Sequence, residues 1–146
     1  MAHSDTTAKG GASEQQHGTD LVTFDLRALA QWRDDGPAVS MLSDIGAARV
    51  ALFAFKAGQT LKEHQTSSQI LVHVLRGKIT FRAGEHPPVE AHPGTLIQVE
   101  ARVPHSVMAR TNAVITVTMV PSPASHSLER ELFAGVKPLV ARQPDS

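Results

Sequence analysis

Two histidines have the type and the placement to act at one point. His64 lies in the run Gly58-Gln59-Thr60-Leu61-Lys62-Glu63-His64-Gln65-Thr66, which is followed by Val74-Leu75-Arg76-Gly77. His105 comes after the turn-forming pair Pro93-Gly94, at the end of Val103-Pro104-His105. Each imidazole stands at the edge of a short apolar run that reads as a strand. A neutral imidazole offers one N–H and one lone pair, so two that converge can hold a divalent ion or the polar end of a small ligand. Other chemistries lack their residues. The absence of cysteine removes disulfides, thiolate metal sites and a cysteine nucleophile. No serine lies in a Gly-x-Ser-x-Gly setting, and Gly10-Gly11 precedes no strand–helix unit that would cradle a phosphate.

The bulk of the chain narrows the partners. Fourteen Lys and Arg balance fourteen Asp and Glu. Nucleic acid and anionic membrane surfaces need a concentrated basic face, so neither is expected as a partner. The basic pair Arg102 and Arg110 flanks His105 and reads as a solvated face that could also draw in an anion. At 146 residues the chain is expected to form one domain with a substantial core. Residues 1–19 are rich in Ser, Thr, Gly, Gln and His and read as a disordered tail without the apolar core of a signal or anchor. No stretch reaches the roughly 20 apolar residues of a membrane span, and a cytoplasmic location is expected.

The elements that must position the histidines follow from the punctuation. Residues 25–30 read as a short helix ending before Asp34-Asp35-Gly36-Pro37, with Trp32 packing this segment on the main body. From Ala38 onward, runs rich in Val, Ile, Phe and Thr recur between Gly, Pro and Asn. They predict strands at 38–42, 48–55, 60–63, 69–76, 78–83, 88–91, 95–99, 105–110 and 113–120. Even spacing of this kind predicts an all-β sandwich or barrel. His86 and His92 fall in loops. The barrel domain is placed at 20–121, and 122–146 is expected to hold a short helix at 128–133 and a tail. In 48–55 and 113–120 both faces are apolar, so alternation does not say which side chains point inward.

The two histidine motifs resemble those of the cupin family, over about residues 38–120. The resemblance implies a double-stranded β-helix, a jelly-roll barrel whose cup surrounds a metal. The family's first motif supplies two histidines at i and i+2 and then a glutamate or glutamine; the second motif supplies a third histidine. His64 and His105 match two of these positions. Thr66 stands at the second histidine, and Ile70, seven before Gly77, stands at the carboxylate. In the second motif Glu100 replaces a proline, Arg102 a glycine and Ala109 an asparagine. Ile70, Val72 and Val107 are expected to line the cup with Thr66. Gln69 is counted with the pocket on the strength of a bulge, since it is one position off and strict alternation turns it away from His64. Glu63 is expected to point out. His73 shares the parity of Gln69 and is expected to pack on a second sheet or a subunit interface.

A ligand set reduced to His64 and His105 favours a cup that binds a small molecule without catalysis, as a sensor or carrier. The alternative is a metal-dependent enzyme of dioxygenase, isomerase, decarboxylase or lyase type, using the two histidines and one Zn, Fe, Mn or Ni ion. A vestigial cup in an interaction protein is the third reading. Open sheet edges predict a homodimer, with residues 21–42 as the exchanged segment.

Overall fold

The computed structural model describes residues 20–123. The expected tail at 1–19 and the expected helix at 128–133 lie outside the described residues. One short helix, α1 (Leu26–Leu29), precedes nine strands: β1 (Ala38–Asp44), β2 (Arg49–Phe55), β3 (Thr60–His64), β4 (Gln69–Arg76), β5 (Ile79–Ala83), β6 (Val89–Ala91), β7 (Leu96–Val99), β8 (His105–Ala109) and β9 (Ala113–Val120). They form a five-stranded sheet in the order β1-β2-β9-β4-β7 and a four-stranded sheet in the order β3-β8-β5-β6. Neighbouring strands run antiparallel throughout.

Between the sheets lies one apolar core. Phe53 and Phe55 of β2, Ile70, Val72 and Val74 of β4, Phe81 of β5, Val107 of β8 and Ile115 and Val117 of β9 all belong to it. Alternation along β4 makes the sorting clear: Ile70, Val72 and Val74 are buried, while Gln69 and His73 are exposed. A second cluster explains why β2 and β9 are apolar on both faces. Leu52, Ala54 and Val114 turn to the outer side of the larger sheet, where Leu29 is buried against them and Phe24, Leu26 and Trp32 pack around them. The N-terminal segment thus covers the two central strands, and Trp32 docks it as expected.

Asp25 caps α1, its carboxylate accepting from the backbone N–H groups of Arg27 and Ala28. Strand β1 runs to Asp44, two residues past its expected end, through a register shift between Met41 and Ser43. It pairs with β2 and forms one edge of the larger sheet. Asp34 and Asp35, expected in an exposed turn, are exposed there and pair with Lys56 and Arg33.

Candidate functional site

His64 and His105 are direct cross-strand partners in the smaller sheet. The pairing depends on an irregularity in β3. Leu61 pairs with Val107 and His64 with His105, so three steps along β3 match two along β8. Regular alternation from Leu61 would have set Glu63 beside His105; the extra residue brings in His64 and leaves Glu63 exposed. On its other side His105 pairs with Ala83 of β5.

The two rings meet edge to face, with centroids 4.4 Å apart and planes at 64°. Phe81 lies nearly parallel to the His105 ring, with centroids 5.9 Å apart. Each imidazole is oriented by its own strand. His64 Nδ1 donates to the Lys62 carbonyl at 2.8 Å, and His105 Nδ1 donates to the Val103 carbonyl at 2.8 Å. A carbonyl oxygen only accepts, so in the neutral rings the proton sits on Nδ1 and the lone pair on Nε2. His64 Nε2 is buried, and among the described residues it is the one buried side-chain polar atom without a hydrogen-bond partner. An unmet buried acceptor costs roughly 1–3 kcal/mol, which a bound donor or cation would recover. Burial pushes the His105 imidazole from 6.5 down to about 4, with a further push from His64, while the bond to Val103 partly opposes the shift.

The remaining sequence-predicted positions divide. Ile70, Val72 and Val107 are buried in the core between the sheets. Thr66 is buried, but its hydroxyl donates to the Ser68 carbonyl at 3.0 Å and accepts from the Ser68 N–H at 3.4 Å, so it serves the β3–β4 turn. Gln69 is a correction. It is exposed on the outer face of β4, whose register is regular from Gln69 to Val74, and the bulge that would turn it inward is absent there. His73 faces away from the cup but is exposed, not packed on a second sheet. Arg110 bonds to Thr80 and lies 3.8 Å from Glu90, and Arg102 is exposed. The bulge in β3 and the Phe81 stack were missed from sequence.

A metal can be tested against this donor set. Fixing Nδ1–H on a backbone carbonyl while Nε2 stays bare is how metal-ligating histidines are oriented. The pair therefore fits as two nitrogen donors to a divalent ion. It does not supply the full set of the family: Thr66 is engaged by Ser68, Ile70 is hydrocarbon, and no group of three His, Cys, Asp or Glu placed to hold a metal occurs among the described residues.

A cupin-domain family model matches residues 51–121. A solved structure from Thermus thermophilus is 26% identical, with a TM-score of 0.65 over 69% of this chain and 98% of that one. An RmlC-like cupin from Desulfovibrio desulfuricans is 22% identical, with a TM-score of 0.56 over 75% of this chain and 97% of that one. A cupin superfamily protein from Desulfitobacterium hafniense is 15% identical, with a TM-score of 0.63 over 74% of this chain and 98% of that one. No match was found among curated protein sequences. Two antiparallel sheets, a histidine on each side of the β3–β8 pairing and the family match agree that residues 51–121 belong to a cupin domain, and the chain shares the double-stranded β-helix fold of the RmlC-like structures.

Proposed function

We propose that the cup binds a small molecule and holds it without converting it, as a sensor or carrier does. The observation that carries this reading is the bare, buried Nε2 of His64 beside His105, whose ring stacks on Phe81. Two imidazole acceptors suit a ligand with hydroxyl, amide or ammonium donors at one end and an apolar body at the other. Burial keeps the His105 imidazole neutral down to about pH 4, so at neutral pH its Nε2 is available as an acceptor. The Thr66 hydroxyl is held by backbone, and Glu63 faces out. A thermal-shift screen of small metabolites tests the reading: compounds that stabilise the wild type should bind at least about tenfold more weakly to His64→Ala and His105→Ala. Stabilisation that survives both changes would place binding elsewhere.

The same bare nitrogen favours one second reading, a divalent metal held by His64 and His105. Such an ion would polarise a substrate oxygen that completes its shell. The chain's part would be to fix both Nε2 atoms through the Lys62 and Val103 carbonyls and to keep the wall dry. Elemental analysis separates the readings: near-stoichiometric metal, lost in both alanine variants, supports the second. The proposal includes a homodimer, supported by the uncovered edge of β7, where Leu96 is 63% exposed. Light scattering showing only monomer at micromolar concentration would remove it.

A further inference from the structure

A concave site lies on the outer side of the larger sheet, away from the core between the sheets. It is a cleft of about 480 Å³ between the N-terminal segment and the sheet, lined by Leu26, Arg27, Ala30, Leu75, Arg76 and Val114. We propose that this cleft binds a small carboxylate with an apolar body, such as a medium-chain acid.

The floor and the rim differ in chemistry. Val114 is buried and Leu75 and Leu26 are half-buried, giving a hydrocarbon surface continuous with the cluster under α1. The rim carries two guanidinium groups. Arg76 lies over the Trp32 ring, its central carbon 5.4 Å from the centroid, and this cation–π contact orders the head group at the cleft wall. Three acids of the N-terminal segment have partners of their own. Asp25 caps α1 through the N–H groups of Arg27 and Ala28 at 3.2 and 3.3 Å. Asp34 pairs with Lys56, and Asp35 with Arg33 at 2.7 Å. Among the described residues no carboxylate pairs with Arg27 or Arg76. Two guanidinium forks without an ion-pair partner among the described residues, beside an apolar floor, match a carboxylate head and a hydrocarbon body, and the volume falls in the range of small-molecule sites.

Trp32 is the only tryptophan, so its emission reports on this wall. Octanoate, titrated into the full chain, should change Trp32 fluorescence saturably, while octanol at the same concentrations should not. Arg27→Gln and Arg76→Gln should each weaken octanoate binding about tenfold, with Arg76→Lys in between. Titration calorimetry on the same variants separates lost binding from altered emission at position 76. His105→Ala should leave octanoate affinity unchanged, which makes this test independent of the cup. Equal binding of octanoate and octanol, unchanged affinity in both arginine variants, or no saturable binding to the wild type would overturn the proposal.

Discussion

Burial couples the charge of His105 to folding. In the unfolded chain its imidazole titrates near 6.5, and in the fold at about 4. Between those values the unfolded state binds the proton and the folded state does not, so stability rises with pH across that window. The contribution is fully present above pH 6.5 and is lost as pH falls towards 4. It amounts to about 3 kcal/mol at most. Urea unfolding of wild type and His105→Gln from pH 7 to pH 4 should show a steeper acid loss in the wild type; parallel curves would contradict the burial argument. Arg102 presents a different residue-scale feature. It occupies the position where the family carries glycine, and it adopts the left-handed φ of 66°, with its N–H bonded to the Thr66 carbonyl at 2.7 Å. A side chain in that region costs about 1–2 kcal/mol. Arg102→Gly should therefore leave stability unchanged or raise it by up to about 1 kcal/mol, and Arg102→Val should lower it, as scanning calorimetry would read. Both histidines were legible because motif spacing counts residues. What each hydroxyl or amide bonds to was not, since Thr66 chose the Ser68 backbone through a turn that spacing does not reveal.

Turns and registers set what the strands can present. Gly77 closes β4 with φ of 78°, and a Cβ there would sit 1.9 Å from the Asn112 carbonyl oxygen and 2.7 Å from Ala113 Cα. Both obstacles are backbone at the start of β9, the central strand of the larger sheet. Gly77→Ala should cost several kcal/mol, about 3 or more, and a Tm unchanged by it would contradict the β4–β9 packing. Strand positions were legible almost to the residue because Gly, Pro and Asn punctuate nearly every turn. The inward faces of β2 and β9 were not. Their outer faces are covered by Leu29 and Trp32, so both parities are apolar and period-two alternation vanishes. The bulge in β3 also escaped. It is a mismatch between two strands, and one strand alone does not display it.

At the scale of the whole molecule, two sheets close on a core in which, among the described residues, the histidine pair carries the one buried side-chain acceptor left bare. The five-stranded sheet contributes Ile70 to that core, at the position matching the family's carboxylate. Thr66→His with Ile70→Glu should therefore create a metal site. Without metal this variant should melt lower than wild type, because a carboxylate is then buried unpaired. Zinc or nickel should raise its Tm in proportion to the logarithm of free metal. No metal-dependent shift would mean that these positions do not face the histidines. The central claim is that His64 and His105 form the binding centre of the cup. It is tested most directly by thermal shift of wild type, His64→Ala and His105→Ala against one metabolite library. The account predicts compounds that stabilise the wild type saturably and lose that effect in both variants. A library in which every stabilising compound acts equally on all three proteins would contradict it.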